Sequence, residues 1–375
     1  MSRPFELRRL LAVATGAAVS LMVACSPPEE VVERAQDPPP QASPTVAGDL
    51  VAERLPFELD FGVDMAWERG TDRIFVTEKN TGAIRVVVDG ELLDRPCARL
   101  DVETDLLQGL TGIVLHPQFA ENGWLYVYNT NRQPHENRVT RFTVRGNRCI
   151  DPEPIITGIE PSRVHNGGQL AFVDGKLFVT VGEANVAAYA QDLDSLLGKI
   201  LRYNDDGTIP DGNPFSEPGA PSPVWSYGHR NPFGLAHRPG TDQLFATENG
   251  PNCDDELNLI EPGVNYGWGK GHECGEDGVG EDPVGPLIRW DKVIVPTDLW
   301  WYEGRIESLQ DTLLMAEYVG GTVHSFTLSD DGRTVISDDI VYSGDEKLVG
   351  VSEGPGGWVY FVTQTSMYRM THGTS

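Results

Sequence analysis

One phrase recurs along this chain and restricts its fold more than any other feature. It is a short apolar strand, a turn with Gly or Asp, a stronger apolar strand, and a third segment that completes a small sheet. It runs through residues 65–67, 73–77 and 84–88, then 112–116, 124–128 and 138–142, then 169–172, 176–180 and 199–203. A fourth copy covers 234–237, 243–247 and 256–260, a fifth 312–316 and 322–326, and a sixth 349–351, 358–362 and 367–370. Three- or four-stranded meanders returning every 45 to 70 residues or so predict an all-β chain folded as a six-bladed β-propeller. A β-sandwich or a pair of barrels is the alternative, but neither requires the whole phrase to return. The 41 glycines and 27 prolines suit many short strands joined by turns.

The two ends of the chain read differently. Arg3, Arg8 and Arg9 precede an apolar run from Leu10 to Val23 that is too short to span a bilayer comfortably and ends in small residues. Residues 1–24 are therefore expected to be a signal peptide. Leu21-Met22-Val23-Ala24-Cys25 resembles a bacterial lipobox, which implies a lipid anchor on Cys25 as the only membrane contact and export to the periplasmic side of a membrane or to the cell surface. Residues 25–52, rich in Pro and Glu, bury too little apolar surface to fold and read as a tether. The propeller is expected over 53–372.

The formal charge is −27, and the leader's three arginines and one glutamate (+2) leave about −29 on the rest. Such a surface lacks the clustered cations that displace phosphate counterions, which argues against nucleic acid, and it favours cations such as Ca²⁺ as partners. With Cys25 set aside, Cys97, Cys149, Cys253 and Cys274 remain. An even number in an exported chain suggests two disulfides. Proximity in sequence favours Cys97 with Cys149 and Cys253 with Cys274, although four cysteines allow three pairings.

The stretch from Ser226 to Trp268 concentrates chemistry. Tyr-Gly-His-Arg-Asn-Pro-Phe-Gly at 227–234 is followed by Glu-Asn-Gly-Pro-Asn-Cys-Asp-Asp-Glu at 248–256 and Asn-Tyr-Gly-Trp at 265–268. A guanidinium, an amide, a rigid Gly-Pro carbonyl pair and a carboxylate cluster on loops between strands suit an anionic organic cofactor beside a hard cation. In a propeller, loops on one face converge on the central channel, so Gln108, His165, Arg230 and Gly250 can meet although far apart in sequence.

With these residues the chain resembles the glucose/sorbosone dehydrogenase family, soluble aldose sugar dehydrogenases that use pyrroloquinoline quinone (PQQ) and Ca²⁺. The resemblance covers most of 55–370. It rests on Gln-Gly-Leu-Thr-Gly at 108–112, His-Asn-Gly-Gly at 165–168, Val-Gly-Glu at 181–183, Ala-Gln-Asp-Leu at 190–193, Gly-Lys-Ile-Leu-Arg at 198–202, Ile-Pro-Asp-Gly-Asn-Pro-Phe at 209–215, and the 226–268 stretch. It implies that His165 takes the proton from the anomeric hydroxyl of a sugar, that Glu183 orients it, and that Arg230 stabilises charge on the quinone oxygen. It further implies that Gln108 and Asn231 contact the cofactor, that the carbonyls of Gly250 and Pro251 hold Ca²⁺, and that Glu256 and the Tyr266 carbonyl hold a second Ca²⁺.

The chain departs from that pattern where the three PQQ carboxylates need cations. A lysine is implied at about Val319, and an Arg-x-Arg segment falls on Lys347-Leu348-Val349, so only Lys347 is cationic. Two lost charged hydrogen bonds cost about 3 to 6 kcal/mol, or about a hundredfold to ten-thousandfold in affinity. Arg289, Lys292 and Arg305 are candidate replacements. The favoured function is oxidation of the anomeric carbon of an aldose to a lactone, with electrons passed to an external acceptor. The rivals are a catalytically silent propeller that binds carbohydrate or protein, and a Ca²⁺-dependent lactonase-like hydrolase.

Overall fold

A computed structural model describes residues 44–276 and 278–373. The lipobox, Cys25 and most of the proposed tether lie outside them. Within them the strands form six small sheets. The first blade is Gly62–Trp67, Arg73–Glu78, Ala83–Val88 and Glu91–Leu92. The second is Leu110–Leu115, Trp124–Asn131, Glu136–Arg145 and Arg148–Ile159, and the third is Leu170–Val173, Lys176–Val181, Lys199–Asn204 and Val224–Tyr227. Pro232–His237, Leu244–Glu248, Asp255–Ile260 and Ile288–Trp290 make the fourth. The fifth is Pro296–Tyr302, Thr312–Glu317, Thr322–Leu328 and Val335–Ser343. Leu348–Glu353, Val359–Thr363 and Met367–His372 begin the sixth.

Six hydrophobic clusters show that these sheets close a ring. Each straddles two neighbouring blades: Phe75 and Ile84 meet Leu125 and Val127 between the first and second, and Phe245 meets Trp301 and Phe326 between the fourth and fifth. The ring closes where Met65 and Val76 of the first blade pack on Val362 and Met367 of the sixth. Six blades and six seams make the six-bladed propeller that the repeat predicts.

Two boundaries differ from the sequence reading. The fifth copy was expected to start at 312–316, but that segment is its second strand. The inner strand is Pro296–Tyr302, whose leading proline and central Asp298 break the apolar run that marks the other copies. At the other boundary, Leu50–Arg54 pairs antiparallel with Met367–His372 and completes the sixth blade, while Thr45–Val46 pairs with the outer strand of the fifth. The folded part therefore reaches into the segment expected to be tether. An outer strand with one face in water can be as polar as Leu-Val-Ala-Glu-Arg, so composition hides it.

The ring axis alternates in character. At matching positions of the inner strands the odd blades carry Asp64, Gln169 and Asp298, and the even blades carry Gly112, Gly234 and Gly350. A Cβ on those glycines would lie 2.1 Å from the Gly168 carbonyl, 2.3 Å from that of Thr297 and 2.5 Å from that of Val63. Only three side chains thus fit across the axis. Gln169 Nε2 donates to Asp298 Oδ1 at 2.6 Å, and the carboxylate oxygens also accept the backbone N–H of Met65, Ile113, Leu299 and Val351. Threonines of the second strands tie adjacent blades: Thr77 Oγ1 donates to the Thr111 carbonyl at 2.6 Å, and Thr247 Oγ1 to that of Thr297 at 2.7 Å.

Candidate active site

Loops that enter the inner strands, and loops that leave the second strands, share one face. His165 lies on the segment entering the third blade, with φ of 54°, a left-handed conformation that a non-glycine residue adopts only when its surroundings hold it. Its Nδ1 is 2.9 Å from Glu183 Oε1, and the two side chains are 13% and 3% exposed. Glu183 Oε2 accepts the Val186 N–H at 3.0 Å, and its own N–H donates to the Arg230 carbonyl at 2.8 Å. The proton on Nδ1 faces the carboxylate, which leaves Nε2 as the lone pair available for a substrate proton.

The rest of the set follows through direct contacts. Asn231 Oδ1 accepts the Gly167 N–H at 3.2 Å, which joins the entries to the third and fourth blades. Glu248, at the end of a second strand, accepts the backbone N–H of both Arg230 and Asn231, and His229 Nδ1 lies 3.0 Å from its other oxygen. Burial pushes the Glu248 carboxyl up to about 8 and His229 down to about 3, so the imidazole is neutral. Arg230 Nη1 donates to the Asn249 carbonyl at 2.6 Å, and its guanidinium lies 5.4 Å over the Trp268 ring. Burial lowers the pKa of Arg230, and the neighbouring acids, Glu183 foremost, work against that shift.

Gly250 and Pro251 come next in the chain. The Gly250 N–H donates to Asp255 Oδ1 at 2.8 Å, while the carbonyls of Gly250 and Pro251 accept no hydrogen bond from the described residues. A Cβ on Gly250 would fall 1.8 Å from the Cys253 carbonyl, so no other residue fits the turn. The Cys253–Cys274 disulfide ties it down, and Cys97–Cys149 links the first two blades. Of the three possible connectivities, this is the one that proximity favours. Two unengaged carbonyls on a pinned loop, beside a cation and a free imidazole nitrogen, fit a hard metal and an anionic cofactor.

Several sequence markers support this face without touching the chemistry. Lys199 donates to the carbonyls of Tyr189, Ala190 and Leu197 at 2.7, 3.1 and 2.7 Å, which folds the 189–197 segment down. Burial lowers its pKa to about 7. From that segment Gln191 donates to Asn265 Oδ1 and to the Trp268 carbonyl, setting the indole under Arg230. Asn213 pairs with Arg202 on the third blade and is structural.

Other expected residues stand apart. Gln108 is buried, with Nε2 3.2 Å from His135 Nε2, and its loop joins the His165 segment through the Leu107 N–H on the Arg163 carbonyl and through the Arg163–Asp105 ion pair at 2.6 Å. Lys347 donates its amine to the Val319 carbonyl. Val349 is buried in the wall of the sixth blade. Glu256 is beside Arg289 at 3.4 Å, so a guanidinium already stands by the carboxylate expected to hold a second Ca²⁺; burial raises Glu256 to about 7. Tyr266 stacks on His229 with ring centroids 4.8 Å apart. None of the three proposed replacement cations is seen to serve the site: Arg289 is taken up by Asp254 and Glu256, Arg305 lies over Trp358 beyond the exit of the fifth inner strand, and Lys292 is exposed on the way into that blade.

The sequence reading passed over Glu248, Asn249, Lys79 and His135. Glu248 had a signal, since Phe-Val-Thr-Glu at 75–78 and Phe-Ala-Thr-Glu at 245–248 are the same phrase, and Glu317 ends the fifth blade's second strand. In all three the acid organises the loop that follows or faces it.

Fold and site together resemble those of the quinone-dependent sugar dehydrogenase propellers. The chain belongs to the glucose/sorbosone dehydrogenase family, whose sequence pattern matches residues 59–371. It is 32% identical to an uncharacterised Synechocystis protein over 96% of both chains. It is 35% identical to the aldose sugar dehydrogenase YliI of Escherichia coli, over 54% of this chain and 58% of that one. It is 32% identical to quinoprotein glucose dehydrogenase B of Acinetobacter calcoaceticus, over 54% and 46%. The match thus spans about half the length of these last two relatives. The PQQ-bound aldose sugar dehydrogenase of Streptomyces coelicolor superposes with a TM-score of 0.74 at 27% identity, covering 89% of this chain and all of that one.

Proposed function

We propose that this protein oxidises the anomeric carbon of an aldose to a lactone with PQQ and Ca²⁺, and passes the electrons to an external acceptor. The observation that carries this reading is the His165–Glu183 pair, with Nε2 open, beside Arg230 and the unengaged carbonyls of Gly250 and Pro251. PQQ, when bound, supplies the hydride acceptor.

The chain's own residues divide the remaining work. His165 Nε2 takes the proton of the anomeric hydroxyl, and Glu183 stabilises the imidazolium that results, which makes the proton transfer easier. Arg230 supplies a fixed positive charge where negative charge grows on the cofactor. The Gly250 and Pro251 carbonyls and the cofactor would share the metal, so metal and cofactor bind cooperatively. The lactonase alternative loses support because Asp64 and Asp298, the acids that meet on the axis, are engaged by backbone N–H groups and Gln169.

The test is dye reduction by the purified protein with added PQQ and Ca²⁺ across a panel of aldoses, together with the cofactor's absorbance. Substrate-dependent reduction that requires both additions is expected. No spectral change and no reduction with any sugar would leave the silent binding propeller as the better reading.

A further inference from the structure

Lys79 follows the second strand of the first blade, on the same face as His165 and Arg230. It is 6% exposed, and its Nζ lies 4.9 Å over the Phe61 ring with Asn80 Oδ1 at 3.0 Å. None of the ion pairs of the described residues includes it. Asp60 contributes only at longer range, and burial lowers the pKa of Lys79. An ammonium has three donors and is costly to bury unpaired, so this one is short of an anion.

Its surroundings are built to hold it there. The Lys79 N–H donates to the Phe61 carbonyl at 2.9 Å, and its own carbonyl accepts the Leu110 N–H at 3.2 Å. Its stem crosses Gly109, where a Cβ would lie 2.5 Å from Lys79 Cγ. Gly109 follows Gln108, so the lysine is set against the loop that carries the expected cofactor contact. The entries to the first and second blades thus flank one amine on the face that carries His165 and Arg230.

We propose that Lys79 binds a carboxylate of the quinone cofactor and replaces charge that Val319 and Val349 do not supply. This inference rests on the PQQ reading above. Lys347, exposed and anchored on the Val319 carbonyl, is another cation on this face; of the two lysines Lys79 is the desolvated one, where a charged hydrogen bond counts for more.

The experiment is equilibrium titration of PQQ, with Ca²⁺, into the wild-type protein and Lys79→Met, read by the cofactor's absorbance and by tryptophan fluorescence without substrate. The trimethyl ester of PQQ is titrated in parallel, and a thermal melt of each variant checks its fold. Expected is a Kd raised about tenfold to a hundredfold in Lys79→Met, with no such difference for the ester. An unchanged Kd with wild-type binding intact overturns the role of Lys79 and leaves the cofactor reading standing. So does an equal loss with the ester, or an unchanged Kd accompanied by a higher KM for a uronic acid alone. A wild-type protein that binds neither form overturns both.

Discussion

The 2.9 Å contact between His165 Nδ1 and Glu183 Oε1 determines which imidazole nitrogen is free to act. The backbone reinforces it, since the Ala184 N–H donates to the His165 carbonyl and the Glu183 N–H to the Arg230 carbonyl. Replacing His165 by Ala is expected to lower kcat/KM for an aldose by about 10² to 10⁴. Glu183→Gln should lower kcat while KM changes little, because the carboxylate acts on the imidazolium and not on the bound sugar. Dye-linked kinetics check both, and equal rates in wild type and His165→Ala would remove the base from the mechanism.

Gly250→Ala forces the turn open, since its Cβ would meet the Cys253 carbonyl at 1.8 Å. With the loop displaced, the Ca²⁺ concentration for half-maximal cofactor uptake should rise at least about tenfold, equivalent to about 1.4 kcal/mol. A Ca²⁺ titration monitored through PQQ absorbance reads this. An unchanged midpoint would show that these carbonyls do not hold the metal.

His324 makes stability depend on pH. Burial disfavours its charge, but hydrogen bonds to Asp338 and Glu317 overcome that and raise it to about 9. A pKa raised on folding stabilises fully below the unfolded value near 6.5, and that stabilisation is lost as pH rises through about 9. The swing is on the order of 3 kcal/mol. Glu317, lowered despite burial, works the other way and loses its contribution as pH falls through its folded value. Urea midpoints should fall more steeply between pH 6.5 and 9 in the wild type than in His324→Gln, which should already be weaker at pH 6.5. The same slope in both proteins would contradict the assignment.

On the axis, burial raises Asp298 to about 7 and Asp64 well above the usual carboxylate range, the neighbouring Asp298 adding to the effect on Asp64. These raised carboxyls favour the fold at low pH and oppose it progressively as pH climbs from about 4 through 7. Gln169→Glu adds a third acid to the same dry space and is expected to cost about 1 to 3 kcal/mol, more at pH 8 than at pH 5. Denaturant melts at the two pH values decide. A variant as stable as the parent at pH 8 would mean that water or a cation reaches the axis.

The blade phrase made the fold legible because each second strand is buried on both faces and therefore reads as an apolar run. Pro296–Tyr302 and Leu50–Arg54 escaped for opposite reasons: one carries the axial Asp298, and the other is an edge strand half in water. At the candidate site, local motifs drew attention to His165, Glu183, Arg230, Asn231 and Gly250, since each lies within two residues of another glycine or proline that shapes its loop. Lys79 was invisible because its meaning comes from Phe61 and Gly109, residues of other loops that only the ring brings to it. Arg289 looked available as a free charge in the sequence, and the structure commits it to Asp254 and Glu256.

Within the propeller, the strand at Leu50–Arg54 is made before all six inner strands, and the strands it joins follow the other five blades. Arg369 reaches Glu53 across 316 residues of chain, so the sixth sheet stays incomplete until Met367–His372 has emerged. Blades one to five are complete in synthesis before the sixth can be, yet the first and the fifth each lack a neighbour until the circle closes. A chain cut short before Met367–His372 therefore lacks the pairing through which the segment leading into the first blade is held to the last.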